Sequence, residues 1–337
     1  MSLKPFLRLL RDGRLTALLG VGAGLKSFYK LTYLAAAGEA GMLNRLATAP
    51  ATFDALVGFC TADGQGRDAL EAWLQMGVRL KLLRLGPQGY ELRGLAKTLA
   101  RPENDAALAM AEEVAGLHHK LISVTLPKLR SGNLFSLEDQ DGELIARSSR
   151  VLEAFQEEAI EQTFPRRGPL RLLEIGCGSG IYLRCAASRN PALTAVGVEL
   201  QHAVAEMARM NLRSWGLEER VKVEDGDFRL KAPGELFDIA TLFNNIYYFP
   251  VNERVALLER IGKSLRPGGF LLLTTCCQGG SLGVEALNLW GAATRGAGRL
   301  PEEQELVNQL KQADYCKIKT TNLLPGDRFM SFQAFRR

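Results

Sequence analysis

Residues 172–180 of this chain, Leu-Leu-Glu-Ile-Gly-Cys-Gly-Ser-Gly, restrict its possible folds more than any other stretch. They begin as an apolar run that ends on Glu174 and then turn through Gly176, Gly178 and Gly180, spaced two apart. From Ile181 to Ala187 the apolar residues return with the spacing of a helix. A buried strand, a tight turn and a helix form the opening unit of a doubly wound α/β sheet. Glycine suits such a turn because it accepts backbone angles closed to other residues. It also lets a ligand approach the main chain beside a helix N-terminus.

Nicotinamide and flavin proteins use a glycine-rich turn as well, but their fingerprint needs a glycine where this chain has Ile181. Three downstream features point elsewhere. Val196-Gly197-Val198-Glu199 ends a second apolar strand on an acid, 19 residues after Gly180, placed for ribose hydroxyls. Gly226-Asp227-Phe228 follows a third strand with a carboxylate for an exocyclic amine and a ring for an adenine face. Leu265-Arg266-Pro267-Gly268-Gly269 breaks a helix before the apolar strand Phe270–Thr275. This ordered set resembles the class I S-adenosylmethionine-dependent methyltransferases. The resemblance implies S-adenosyl-L-methionine as cofactor, with Glu174, Gly176, Gly178 and Gly180 at its methionine end. It places Glu199 at the ribose and Asp227 with Phe228 at the adenine, with Leu200 and Asn244 completing the set.

A length of 337 residues suggests two domains, and Pro165-Arg166-Arg167-Gly168-Pro169 reads as the junction. Residues 1–165 are expected to be mainly helical. They include helical patterns over 3–37, Phe53–Cys60 and Arg67–Leu80, then two short strands around Gly86-Pro87-Gln88-Gly89. Helices followed by a hairpin suggest a winged helix. A DNA-reading role would need a basic face on Arg67–Leu80, whereas that segment presents Trp73 and Met76 on a mainly apolar one. Leu70-Glu71-Ala72-Trp73-Leu74, Gly89-Tyr90-Glu91-Leu92 and Leu129-Arg130-Ser131-Gly132 resemble the N-terminal part of the plant-type and antibiotic-pathway small-molecule O-methyltransferases. That likeness implies a dimerisation and substrate-lid domain, hence a homodimer and a small-molecule substrate. Residues 166–337 are then the cofactor-binding domain, a Rossmann-like methyltransferase sheet.

The fourth strand of that sheet aims Asn244-Asn245-Ile246-Tyr247-Tyr248-Phe249 at the reacting group, because ligands of open α/β sheets bind beyond the strands' carboxyl ends. The related plant-type enzymes carry a histidine base here, in a stretch similar to Leu-His-Asp-Trp. Counted without gaps from Asp238, that histidine falls on Tyr247, and its supporting acid falls near Thr274-Thr275. Tyrosine ionises near pH ~10 in its reference state and is a poor base near neutrality. Tyr247, Tyr248 and Asn244 are therefore expected to orient an acceptor, or simply to pack. Candidate substrate contacts are His118, His119 and Arg150 in the region the family uses as its lid, Asn245 after the fourth strand, and Trp290 after the fifth. The histidine pair reads more readily as a packed or solvated helix face, and Arg150 equally as part of a solvated basic one.

The net charge of +5 arises from residues 1–34, which hold six basic residues against Asp12. The neutral remainder argues against a nucleic-acid footprint. Six cysteines without a C-x-x-C pair, and three histidines, suggest neither a metal site nor disulfides and fit a cytoplasmic setting. Leu15–Leu25 is too short to span a bilayer, so no integral membrane segment is expected. Two rival functions remain: a methyltransferase acting on a peptide or protein, and a non-catalytic cofactor-binding regulatory or assembly module.

Overall fold

The apolar runs after Pro169 become a seven-stranded sheet, and the segments before it become helices. The computed structural model describes residues 4–61, 64–231, 234 and 236–337. They form two compact units, one of residues up to His119 with Gly142–Val151, the other of Lys120–Asp141 with Leu152–Arg337.

In the first unit, helices Lys4–Arg11 and Arg14–Glu39 precede Met42–Thr48, Phe53–Cys60 and Arg67–Arg79. An antiparallel hairpin follows, β1 (Leu83–Gly86) with β2 (Gly89–Leu92). Its core gathers Leu34, Leu43, Leu56, Leu74, Leu82 and Tyr90 around Tyr33, whose ring stacks on Trp73 at 4.1 Å. Gly89 takes φ +109°, and an added Cβ there would lie 2.2 Å from the Ala51 carbonyl oxygen. That close approach lets Ala51 and Tyr90 exchange backbone hydrogen bonds and closes the hairpin onto the helices. The helix Asp105–Glu113 widens into a π-turn at Val114–His118.

The second unit is built on β3 (Leu170–Ile175), β4 (Leu193–Glu199), β5 (Val221–Asp225), β6 (Phe237–Phe243), β7 (Leu265–Cys276), β8 (Tyr315–Asn322) and β9 (Phe329–Arg336). Their order is β5-β4-β3-β6-β7-β9-β8, with β9 antiparallel between β7 and β8 and the first five strands parallel. Successive residues of β3 bury on opposite faces. Leu172 packs with Leu183, Ala208 and Ile239, and Leu173 with Leu242, Leu258 and Leu271. A strand covered on both faces reads as a continuous apolar run, which is why these strands were legible.

The second unit begins before the expected junction at Pro165. Helix Glu153–Thr163 belongs to it, because Ile160 and Phe164 pack with Leu170, Leu172 and Leu183 beneath the sheet. β7 also differs from expectation. The Leu265–Gly269 break is part of the strand, held by pairing of Leu265 with Phe237 and an irregularity after it.

Candidate functional site

From β3 the chain runs outward through β4 and β5, then returns to β6 on the other side. The carboxyl ends of β3 and β6 therefore flank a topological switch point, where open α/β sheets hold their ligands. Register sets the residues there: Glu174 lies opposite Gly197 and Thr241, Glu199 opposite Asp225, and Phe243 opposite Thr274.

The turn after β3 takes φ +67°, +54° and +80° at Gly176, Gly178 and Gly180, a run only glycine adopts without strain. Asn245 fixes it, its amide nitrogen donating to the carbonyls of Ile175 and Gly176 at 2.9 and 3.0 Å. A Cβ on Gly176 would fall 2.1 Å from that nitrogen. Asn245, expected to meet substrate, thus commits its amide to the glycine turn. Glu199 completes the turn, accepting from the backbone N–H of Gly178 at 3.0 Å and of Gln201 at 3.1 Å.

Glu174 is 1% exposed, and both its carboxylate oxygens are buried without a hydrogen-bond partner. Burial first, and the charge of Glu199 second, hold its carboxyl well above the ordinary range. Two buried acceptors without a donor are rare in folded proteins and call for a cationic or hydrogen-bonding ligand. Asn244 adds a third, because its side-chain oxygen is also buried and unpartnered and its backbone is strained at φ +52°. The Glu174 carboxyl and the Asn244 amide oxygen are acceptors for an ammonium beside a sulfonium, as in S-adenosylmethionine, and the residues present fit that group.

After β5, Asp227 caps the turn Phe228–Leu230 and accepts from the Arg229 backbone at 2.8 Å. Its carboxyl is pulled below its ordinary range chiefly by the Arg229 side chain, which grips both oxygens. Phe228 departs from expectation. The turn swings its ring inward, and it packs in the sheet core with Val198 and Leu242, only 6% exposed. Leu200 is exposed beside Glu199.

Beyond β6, Ile246–Tyr248 forms a short 3-10 turn. Tyr247 is buried with Cys276, Val284, Leu300 and Phe329, and its ring lies 4.8 Å from that of Tyr248. The Tyr248 hydroxyl accepts from Gln140 at 3.3 Å. Trp290 is buried against Phe135 at 5.9 Å, its indole nitrogen without a partner. Thr274, at the place expected for a supporting acid, donates instead to buried Gln156 at 2.6 Å. The Thr274 carbonyl also accepts from the Asn244 backbone at 2.8 Å. Gln156 and Gln140 carried no motif, so sequence reasoning passed over both.

His118, His119 and Arg150 belong to the first unit. His118 lies 3.2 Å from the Glu113 carboxylate across the π-turn, and the exposed His119 ring lies 6.3 Å from Phe28. Arg150 is exposed. Its neighbour Arg147 is bound within the unit to Asp105 at 2.6 Å and Glu112 at 3.1 Å.

The architecture agrees with solved structures. The chain superposes on a mitomycin 7-O-methyltransferase with TM-score 0.80 at 18% identity, covering 97% of this chain and all of that one. Human N-acetylserotonin methyltransferase in complex with S-adenosylmethionine gives 0.73 at 18% identity, covering 96% and 98%. In sequence, demethylspheroidene O-methyltransferase of Rhodobacter capsulatus is 24% identical over 194 residues, 56% of this chain and 48% of its own length. The 27-O-demethylrifamycin SV methyltransferase of Amycolatopsis mediterranei is 28% identical over 173 residues, 45% and 62% respectively. The chain spans about half the length of the first of these relatives and less than two thirds of the second. A family profile described as a methyltransferase domain matches residues 140–320, more than half of the sequence, so this chain belongs to the methyltransferase-domain family.

Proposed function

We propose that this protein is an S-adenosylmethionine-dependent O-methyltransferase whose small-molecule acceptor arrives as a ready nucleophile. The unpartnered Glu174 carboxyl at the switch point carries the reading, because on releasing its proton it becomes the partner of the cofactor's ammonium. When bound, S-adenosylmethionine supplies a methyl group already activated on a sulfonium. What remains for the chain is to bind, align and exclude water. Glu174 and the glycine turn hold the methionine end, Glu199 keeps lone pairs for ribose hydroxyls, and Asp227 accepts from the adenine amine. Relatives named for a demethylspheroidene, a demethylrifamycin and a mitomycin support an oxygen acceptor on a small molecule.

Tyr247 and Tyr248, with Asn244, orient that acceptor without taking its proton. Thr274 bonded to Gln156 offers no carboxylate to support a base, so an acidic phenol, an enol or a carboxylate suits the site. Replacing Tyr247 with phenylalanine is expected to lower turnover about 10-fold, or about 1.4 kcal/mol, through lost alignment, with an unchanged pH–rate profile. Loss of the alkaline-rising limb at intact cofactor affinity would show that Tyr247 is the base.

The helices and hairpin of the first unit support a winged-helix dimerisation role, and the apolar residues exposed along its first two helices support a homodimer. The six cysteines are free thiols, which supports a reducing, cytoplasmic setting. Among the described residues no helix is long and apolar enough to cross a membrane.

A further inference from the structure

Among the described residues Arg254 is the largest side chain that is fully buried, at 0% exposure. It is the first residue of helix Arg254–Lys263, where the helix dipole disfavours a positive charge. Among the described residues no carboxylate hydrogen-bonds to it. Its Nε donates to the Phe249 carbonyl at 3.2 Å and its Nη2 to the Arg299 carbonyl at 2.5 Å, while Nη1 has no partner. Glu305, the acid whose charge favours it, is itself gripped by the Arg299 side chain at 2.8 and 2.9 Å. Burial pulls the guanidinium down to about 10. A buried charge without a hydrogen-bonded carboxylate is expensive to keep, and its position calls for a specific role.

The two carbonyls show that role. Phe249 directly follows the turn Ile246–Tyr248 that carries the tyrosine pair. Arg299 lies in the segment after helix Leu282–Ala293, beside Gly298, whose N–H donates to the Tyr247 carbonyl at 2.9 Å. Gly298 has no room for a side chain. A Cβ there would lie 2.8 Å from the Phe249 oxygen and 2.9 Å from Arg254 Nη2. Arg254 therefore sits where two chain segments meet and holds one carbonyl of each, while Gly298 ties the same segments at Tyr247.

We propose that Arg254 is a positioning residue for methyl transfer, a guanidinium clamp that sets the Tyr247–Phe249 turn against the 294–300 segment and so fixes the tyrosine pair before the acceptor. The inference rests on the acceptor-orienting role of Tyr247 proposed above. A guanidinium serves this purpose better than an ammonium, because its planar fork reaches two acceptors in one geometry.

The test compares the native protein with Arg254→Met and Arg254→Lys. Arg254→Met loses both carbonyl contacts and is expected to lower kcat about 10-fold, as misalignment of a reacting group does, with S-adenosylhomocysteine affinity unchanged. Arg254→Lys keeps one contact and should fall between. A readout without turnover accompanies this. The Gly298 amide, bonded to the Tyr247 carbonyl, should exchange with deuterium faster in Arg254→Met and at an intermediate rate in Arg254→Lys. Native kcat and acceptor KM in a folded variant, or native Gly298 exchange, would overturn the clamp. So would an activity loss that tracks only the unfolded fraction. If Arg254→Met does not fold, the lysine variant alone decides on the same readouts. Should the native protein methylate no small molecule, the methyltransferase reading fails by itself, and Gly298 exchange still reports whether Arg254 holds the turn.

Discussion

In the proposed site, Glu174 is a residue that weakens the fold while equipping it for the cofactor. Its carboxyl is buried and unpartnered, and burial raises its folded pKa above the unfolded value of about 4.3. The folded chain therefore keeps a proton that the unfolded chain gives up. The resulting stability is fully present below the unfolded value and is lost as pH rises through the folded one. Glu174→Gln removes that titration, so the ligand-free variant should melt higher than the native protein at pH 8 and differ less from it at pH 4. The same change should weaken S-adenosylhomocysteine binding, because the ammonium loses its charged partner. Binding to the native protein should also release a proton from Glu174, so affinity rises with pH across this window. Calorimetry in two buffers of different ionisation enthalpy measures that release, and its absence would separate Glu174 from the cofactor. Glu199→Ala should weaken cofactor binding by roughly 1–3 kcal/mol, the scale of hydrogen bonds to a charged group. Two partners of Glu199 are backbone amides of the turn, so part of that loss would be geometric.

At the scale of elements, the glycine turn and the strands around it respond to different forces. Gly176→Ala places a methyl against the Asn245 amide at a positive φ, so it should destabilise the turn by about 1–3 kcal/mol. Lower affinity for S-adenosylhomocysteine, with an otherwise folded sheet by circular dichroism, is the expected result. The turn was legible because glycine spacing is local. β3 and β4 were legible as strands, since burial on both faces leaves mainly apolar runs. Contacts that depend on distant chain left no such trace. Asn245 meets the glycine turn across 70 residues, Gln156 meets Thr274 across 118, and Arg254 meets Arg299 across 45. No window of sequence holds both ends of those bonds. Phe228 misled for the same reason, because an aromatic residue after a strand reads alike whether it faces a ligand or the core. Only the packing of Val198 and Leu242 decides that it turns inward.

At the scale of the whole molecule, the helix Arg14–Glu39 raises a question about its own stability. It has 26 residues, yet none before Tyr33 is buried. Leu18, Leu19, Val21, Leu25 and Phe28 are all exposed along it. Gly20, Gly22 and Gly24 each weaken a helix interior by about 1 kcal/mol relative to alanine. A Cβ on any of them would meet nothing within 4 Å. Isolated helices of this kind are marginal in water, and helices in proteins draw most of their stability from a packed face. In the proposed homodimer a second copy of the chain would supply that face, the glycines letting two backbones approach closely. The native protein should then sediment as a dimer at micromolar concentration. Removing residues 1–30, which spares the core residues Tyr33 and Leu34, should yield monomers that keep the sheet and still bind S-adenosylhomocysteine. A change of all three glycines to leucine should weaken the dimer while raising helicity in isolated peptides of this segment, because bulk blocks close approach but favours the helix itself. A native monomer at those concentrations, or a dimer unaffected by the truncation, would place the interface elsewhere and leave the apolar stripe of Arg14–Glu39 without this role.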